Sequence, residues 1–258
     1  MTYRSFVALG DSFTEGMDDR RPDGTYRGWA DLVAGHLARQ VEDFRYANLA
    51  IRGRLLGPIV AEQLEPALAM RPELVTIAGG GNDILRNKVD PGALMALLDD
   101  AVRRLRETGA TVVVFSGADP TQLWPAGHRL MPRIIALHEA VQRIAAERGA
   151  VHVDLWSDDG FRDTRMWSDD RLHLSTVGHQ RAAAHVLDRI GVPPLVDWRV
   201  ELPPGTAVPW VRARVEDARW VRRHLAPWVN RRLRGRSSGD LIGPKRPVLE
   251  PLRYEAED

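Results

Sequence analysis

The sequence predicts an α/β protein whose parallel sheet is covered by helices on both sides. Short runs rich in β-branched residues alternate with longer stretches in which apolar residues recur at helical spacing. Continuous apolar runs such as Val112–Phe115 suit strands that are buried on both faces, and strand–helix alternation is typical of parallel sheets. The predicted strands are Ser5–Leu9, Phe44–Leu49, Leu74–Ala78, Thr111–Phe115 and Val151–Leu155.

Helices are predicted between these strands, and another after the last of them. The predicted helices are Trp29–Val41, Leu55–Met70, Ala93–Thr108, Ile134–Arg148 and a stretch that follows Ser175-Thr176. In open parallel sheets, ligand sites form beyond the carboxyl ends of the strands. The polar segments that follow the strands are therefore where we expect chemistry.

Composition excludes several classes of function. The chain has 258 residues and no cysteine, which excludes disulfides, thiolate metal sites and a cysteine nucleophile. Its formal net charge of +1 gives no general attraction to nucleic acid. There is no apolar run long enough to span a bilayer, and the first residues lack the pattern of a signal peptide. We therefore expect a cytoplasmic protein without a nucleic-acid partner.

The character of the sequence changes near residue 192. Residues 1–192 carry a net charge of −3, whereas residues 193–258 carry +4 and begin with several prolines. We predict a catalytic domain over 1–192 and a C-terminal extension over 193–258. Within the extension, helical spacing covers Trp210–Leu233, where Pro227 should end or kink the helix, and Ser237–Asp258 is predicted as an extended strap or tail.

The predicted C-terminal helix contains both arginines and tryptophans, including Trp210, Trp220 and Trp228. It can pack on the main domain with its arginines in water, bind a membrane surface or an anionic partner, or act as a lid. We favour packing, because arginine stems on a docked helix also cover apolar surface.

Ser12 is a candidate nucleophile. It lies in the loop Gly10-Asp11-Ser12-Phe13-Thr14-Glu15-Gly16, directly after the first strand. A serine there can begin a helix with its hydroxyl facing the open end of the sheet. Such a serine is more often only a helix cap. We expect Asp11, in the same turn, to brace the loop by hydrogen bonds.

His173 is a candidate base, with Asp170 as its orienting acid. The segment Asp170-Arg171-Leu172-His173 puts a carboxylate three residues before a histidine, so both side chains can share one side of a turn. The carboxylate can then hold the imidazole in one tautomer and leave its far nitrogen free. The alternative is an aspartate that caps a turn beside a surface histidine.

Two further loops can supply hydrogen-bond donors for an oxyanion. Gly79-Gly80-Gly81-Asn82-Asp83 follows a strand, and its glycines allow the backbone to approach a bound group while Asn82 offers its amide. Asn48-Leu49-Ala50-Ile51-Arg52-Gly53 follows another, and Gly53 can present an unhindered backbone N–H. Together the four segments supply the parts needed for acyl transfer.

These four segments resemble the four sequence blocks of the SGNH hydrolases, the GDSL-type esterases and lipases. GDSFTEG is close to the family pattern GDS-x-T-x-G, Gly80–Asp83 matches G-x-N-D, and Asp170–His173 matches D-x-x-H. Phe13 replaces the usual leucine, and Leu174 stands where a proline usually follows the histidine. The resemblance covers roughly Ser5 to Ile190.

The resemblance implies a three-layer αβα, flavodoxin-like fold with a five-stranded parallel sheet, here followed by the C-terminal helical extension. It also implies a role for each matching residue. Ser12 would be the nucleophile, His173 the general base and Asp170 its partner. The oxyanion hole would comprise the N–H groups of Ser12 and Gly53 and the side-chain amide of Asn82.

The function predicted on these grounds is hydrolysis of small-molecule carboxylic esters, such as small acyl or acetyl esters, through an acyl-enzyme and without a cofactor or metal. An acyltransferase or thioesterase would use the same residues. A non-catalytic module that binds phosphate in its glycine loops is the alternative from another class, although no nucleotide-binding motif is present.

Several other residues are assigned smaller roles. We interpret Asp18 and Asp19, like Asp169, as solvated loop residues rather than metal ligands. His179 and His185 are expected to be packing or surface groups. Trp124, Pro125, Met131 and Trp167 either line a substrate pocket or are simply buried, and the sequence does not distinguish these two interpretations.

Overall fold

In the computed structural model, a mostly parallel sheet lies between two layers of helices. The structure describes residues 2–86, 89–124, 127–194, 197, 202–203, 210–227, 230, 234 and 237–252. The strands are β1 (Ser5–Leu9), β2 (Arg45–Asn48), β3 (Leu74–Ile77), β4 (Thr111–Ser116), β5 (Val151–Asp154) and β6 (Arg246–Pro251). All five strands predicted from the sequence are present, close to their predicted bounds.

The order of the strands places β1 inside the sheet, between β3 and β2. It runs β5-β4-β3-β1-β2-β6, and the first five strands are mutually parallel. The order of these five, 2-1-3-4-5, is the doubly wound flavodoxin-like arrangement, in which the strand order reverses next to β1. This confirms the predicted fold class and puts the loop after β1 at the position where such folds bind ligands.

The helices occupy both faces of the sheet. They are α1 (Ser12–Glu15), α2 (Gly28–Ala38), α3 (Leu56–Met70), α4 (Gly81–Ile84), α5 (Pro91–Glu107), α6 (Met131–Arg148), α7 (Thr176–Arg189) and α8 (Trp210–Trp220). Helices α2 and α7 pack together over one apolar core that includes Phe6 and Trp29. Helices α3, α5 and α6 cover a second core that includes Val7 and Ile59. Adjacent residues of β1 therefore point into opposite cores, as the pleat requires.

The sixth strand corrects the predicted five-stranded sheet. Part of the segment predicted as a strap or tail forms β6, which pairs antiparallel with β2. Its prolines, Pro247 and Pro251, are tolerated because an edge strand has one side without ladder hydrogen bonds. The strand covers the edge that β2 would otherwise leave unpaired, an edge that invites association with other chains.

The C-terminal helix loses regular α-helical hydrogen bonding just before Pro227. Residues Val221–Leu225 form a π-helical turn directly after α8. A proline has no N–H to donate, and its ring crowds the carbonyl four residues earlier, which here belongs to Arg223. The wider π-helical turn accommodates both the missing N–H and the bulk of the proline ring. The helix was predicted to end or kink at Pro227, and the π-helical turn is the irregularity that the structure shows there. Trp228 and the side chain of Trp210 lie outside the described residues.

Among the helices of the described ranges, none combines the length and the apolar composition needed to cross a membrane.

An ion pair fastens the start of β6 to helix α2. Lys245 Nζ lies 2.8 Å from Asp31 Oδ1 and donates hydrogen bonds to the carbonyls of Tyr26 and Arg27 at 3.2 and 2.7 Å. Burial lowers the pKa of Lys245, which the charge of Asp31 opposes. The hydroxyl of Tyr46 also donates to Asp31, at 2.9 Å.

Replacing this lysine should destabilise the fold. Lys245→Met keeps the apolar stem but leaves Asp31 with Arg21, 3.3 Å away, as its remaining cation, which we expect to cost about 2 kcal/mol. Urea unfolding followed by circular dichroism measures the change. Val248→Ala, at a residue that is 59% exposed, is the matched control in the same segment. Equal stabilities for the two variants would contradict the role assigned to the pair.

Candidate active site

The loop after β1 is shaped so that Ser12 begins helix α1. The carboxylate of Asp11 accepts a hydrogen bond from the N–H of Phe13 at 3.1 Å and so caps the helix. Gly16 ends the helix with φ +91° and contacts Gly28 so closely that a Cβ on Gly16 would lie 2.6 Å from the Gly28 Cα. The final glycine of GDSFTEG is therefore required both by its backbone angle and by the close approach of α2.

Asp170 and His173 form a tightly hydrogen-bonded pair. Asp170 Oδ2 lies 2.5 Å from His173 Nδ1, while Asp170 Oδ1 accepts the backbone N–H groups of Leu172 and His173, each at 2.9 Å. Burial opposes ionisation of Asp170, but its hydrogen bonds and the charge of His173 hold its pKa well below the usual range. The sequence-predicted pairing of these two side chains is thus present in the structure.

Several carboxylates act on the imidazole of His173. Burial disfavours its charged form, but the hydrogen bond and charge of Asp170, together with the charges of Asp18 and Asp11, raise the pKa of His173 above its usual value. Within the described part of the chain no group hydrogen-bonds to Nε2 of this ring. The imidazole is therefore oriented through Nδ1, and Nε2 is left for a reacting group.

Asp18, interpreted from the sequence as a solvated loop residue, lies instead beside His173 and is only partly exposed. It has φ +70°, and its Oδ2 lies 3.8 Å from His173 Nδ1. Ser168 Oγ lies 2.7 Å from a carboxylate oxygen of Asp18 and equally close to Asp170, and it can donate its single proton to one of them at a time. The only available signal was that Asp18 follows α1 at the same end of the sheet as His173.

The interpretation of Asp19 as a solvated loop residue is wrong. Its side chain is buried, and it accepts hydrogen bonds from Arg27 Nε at 3.0 Å, from the N–H of Gly28 at 3.0 Å and from the hydroxyl of Thr176 at 2.8 Å. It thereby ties the loop after α1 to the start of α7, the helix that directly follows the His173 loop.

A metal ion could in principle be bound by three neighbouring side chains, those of Asp18, Asp170 and His173. One potential ligand atom from each lies within 4.8 Å of the others. However, the 2.5 Å separation of Asp170 Oδ2 and His173 Nδ1 is that of a hydrogen bond, and a cation would have to displace its proton. The geometry therefore fits an oriented base better than a metal centre.

One cavity brings the predicted residues from the two ends of the domain together. Ser12, Asn82 and His173 all line it, and much of the remaining wall is apolar, including Phe115 and Leu137. Its volume is about 210 Å³, above the roughly 150 Å³ of an apolar cavity that holds benzene. The cavity can therefore take the acyl part of a small ester beside the Ser12 hydroxyl.

The tryptophans that the sequence left open border this cavity. Both Trp124 and Trp167 line it, and Trp167 is also buried. Met131 lines an adjoining cavity, and Pro125 lies outside the described residues. His179, expected to be a packing or surface group, is buried, and burial lowers its pKa to about 4.

Asn82 is held beside Ser12 by two hydrogen bonds. Its amide nitrogen donates to Asp11 Oδ2 at 2.9 Å and to the carbonyl of Arg54 at 3.1 Å. Burial raises the pKa of Asp11 to about 6. The structure thus links the GDSFTEG loop, the G-x-N-D loop and the chain that follows Gly53.

Gly53 is placed differently from the other three predicted residues. It has φ +73° and is not among the described residues that line the cavity. A Cβ on Gly53 would lie 2.3 Å from Ser237 Oγ, so the C-terminal extension packs directly on this turn. The turn is fixed to α1 through Arg52, whose N–H and Nε donate to the buried Glu15 at 2.8 and 2.9 Å. This Glu15–Arg52 pair was not predicted from the sequence.

The sequence profile of the GDSL-like Lipase/Acylhydrolase family matches residues 8–181. The chain belongs to this family. This family member is 27% identical over 144 residues to Esterase TesA of Pseudomonas aeruginosa, covering 55% of this chain and 68% of that protein.

Solved structures show the same fold for this GDSL-family chain. A crystal structure of TesA superposes with a TM-score of 0.59 at 24% identity, covering 72% of this chain and 98% of its own. The acetylxylan esterase Axe2 of Geobacillus stearothermophilus gives 0.59 at 20% identity, covering 76% and 96%. These proteins align over nearly their whole length with about three quarters of this chain, and the family match ends before the extension.

Removing the second carboxylate should lower the pKa of His173. In Asp18→Asn the imidazolium loses one of the negative charges that stabilise it, so the ring should release its proton at lower pH. NMR titration of the histidine ring protons, assigned by the signal lost in His173→Gln, measures this directly. Asp159→Asn, at an exposed site, is the control. An unchanged or raised pKa in Asp18→Asn would contradict the assignment.

Proposed function

We propose that this chain is a serine carboxylester hydrolase that acts on small acyl esters through an acyl-enzyme. The observation that carries the proposal is the position of His173. Its ring is oriented by Asp170 and lines the same cavity as Ser12 and Asn82. Membership of the GDSL-like family, and the esterase names of TesA and of the acetylxylan esterase, support the same reaction class.

In the first half of the proposed reaction, the hydroxyl of Ser12 attacks the ester carbonyl carbon while His173 Nε2 accepts its proton. The imidazolium then gives this proton to the leaving alkoxy oxygen, the C–O bond breaks and the alcohol departs. Water repeats the sequence on the acyl-serine and releases the acid. Asp170 stays ionised throughout and stabilises the imidazolium, as its depressed pKa requires.

The oxyanion of the tetrahedral intermediate needs donors that are in place beforehand. The N–H of Ser12 lies in the first turn of α1, where backbone donors have no intrahelical partner. We assign a second donor to Asn82. Its two amide protons are directed to Asp11 and to the carbonyl of Arg54, so the side chain must exchange one of these hydrogen bonds for the oxyanion. The third donor, which only the family resemblance implies, is the N–H of Gly53. Gly53 lies outside the cavity lining, and oxyanion binding would require its turn, which Arg52 fixes to Glu15, to approach Ser12.

The substrate we propose is a small molecule whose acyl group enters the apolar part of the cavity. Its walls of phenylalanine, leucine and tryptophan contribute no charge to solvate a carboxylate, so they suit an acyl chain. A panel of aryl esters of increasing chain length, with and without added alcohols, gives the preferred length. Formation of a new ester faster than free acid would identify the protein as an acyltransferase instead.

Ser12 should react covalently with a fluorophosphonate. We expect the folded protein to gain one adduct, localised to Ser12 by peptide mass spectrometry, and Ser12→Ala to gain none and to lose esterase activity. Ser157→Ala, at an exposed serine outside the cavity, should be labelled like the unmodified protein. A protein that is folded but not labelled would favour a non-catalytic binding module.

Asn82→Ala should reduce kcat by roughly 10²–10³, because removal of one oxyanion donor has this effect in related chemistry. Steady-state kinetics with an aryl ester measures the loss, and circular dichroism checks that the variant is folded. Fluorophosphonate labelling should continue at a lower rate, since the nucleophile and base remain. Wild-type turnover in Asn82→Ala would remove this side chain from the proposed oxyanion hole.

A further inference from the structure

The C-terminal helix α8 contacts the loop that carries the acid–base pair. Trp220 is buried, and its indole Nε1 donates a hydrogen bond to the carbonyl of Asp170 at 2.8 Å. Arg171 lies over the Trp220 ring at 5.2 Å, and its guanidinium pairs with Asp217 at 2.7 Å. Both residues of α8 therefore bind within the D-x-x-H segment itself.

Arg171 is held in a conformation that an ordinary residue avoids. Its φ is +57°, in the left-handed region, a conformation that costs of order 1–3 kcal/mol and persists only where the surroundings impose it. Its guanidinium also donates to the carbonyl of Leu123 at 3.2 Å, and its own carbonyl accepts from the indole of Trp124 at 2.7 Å. A single residue beside Asp170 thus connects the cavity wall, the base loop and α8.

The same extension also contacts the Gly53 turn. A Cβ on Gly239 would lie 2.2 Å from the carbonyl oxygen of Arg52, and Ser237 packs equally closely on Gly53. Strand β6 and the Lys245–Asp31 pair anchor this segment to the sheet. Two of the four predicted active-site segments are therefore in contact with chain that lies beyond the family match at residue 181.

The contacts distinguish among the three interpretations that the sequence allowed for the helix. No described residue of the extension lines the cavity, which argues against a lid. Trp220 is buried against the base loop, so it is not available to a membrane surface. The extension instead supports the loops from outside the cavity.

We propose that α8 is a positioning element for the catalytic base, and that Trp220 and Asp217 are its positioning residues. They fix the strained backbone at Arg171 and thereby hold Asp170 and His173 in the orientation in which His173 lines the Ser12 cavity. This proposal rests on the proposed function. It predicts that changes in α8 alter the rate of the chemical step with little effect on substrate binding, because α8 does not line the cavity.

Two variants test the proposal. Trp220→Phe keeps an aromatic ring but lacks the indole N–H, and Asp217→Asn keeps the shape but removes the charge. We expect kcat to fall about tenfold in each and up to about 10²-fold in the double variant, with KM nearly unchanged, because small displacements of catalytic groups have effects of this size. Val215→Ala, at a residue of the same helix that is 46% exposed, should leave both constants unchanged.

Two further measurements separate positioning from general stability. The first is the rate of fluorophosphonate labelling of Ser12, and the second is the NMR titration of His173. The proposal expects slower labelling and an altered His173 pKa in variants that remain folded by circular dichroism. Variants that unfold at lower temperature but keep wild-type kcat, labelling rate and His173 pKa would overturn it and leave α8 a packing element.

The outcomes also distinguish this proposal from the proposed function. If the wild-type protein is neither labelled nor active on esters, the hydrolase assignment fails. The His173 titration still reports whether α8 fixes the base loop, since it needs no turnover. A shifted His173 pKa in Trp220→Phe would then show that α8 fixes the loop of Asp170 and His173, without any conclusion about ester hydrolysis.

Discussion

The carboxylate of Asp170 sets both the backbone of its loop and the orientation of the histidine. One oxygen accepts the N–H groups of Leu172 and His173, and the other accepts the proton on Nδ1. The backbone that carries the imidazole and the ring itself are therefore fixed by the same group. Everything assigned to the cavity depends on this arrangement, because only the opposite nitrogen remains for Ser12.

The long connection from β5 to α7 makes this arrangement possible. Strand β1, which leads into the Ser12 loop, is separated from β5 by two strands, so the chain must cross the carboxyl ends of β4 and β3 to reach it. Buried Phe161 and Trp167 hold this crossing to the core, and the indole of Trp167 donates to the Phe161 carbonyl at 2.7 Å. Asp19 then fixes the start of α7, so the loop is anchored at both ends.

The sequence was sufficient where structure depends on local pattern. The five parallel strands and the pairing of Asp170 with His173 follow from periodicity and from residues three positions apart. It was insufficient where structure depends on distant contacts. Strand β6 has no alternating pattern and pairs with β2 across some 200 residues, and the sixth strand was missed for that reason. The positions of Asp18 and Trp220 depend on tertiary packing in the same way, so no spacing rule could place them.

The acidic surroundings of His173 explain why the extension matters to the site. Three carboxylates raise the pKa of the ring, and burial raises the pKa of one of them, Asp11, to about 6. Charges in an apolar cavity interact more strongly than charges in water, and their effect depends steeply on distance. A loop that moved by a fraction of an ångström would change both the basicity of His173 and its reach toward Ser12. A rigid support behind Asp170, of the kind proposed for Trp220 and Asp217, keeps both the pKa of His173 and its distance from Ser12 constant.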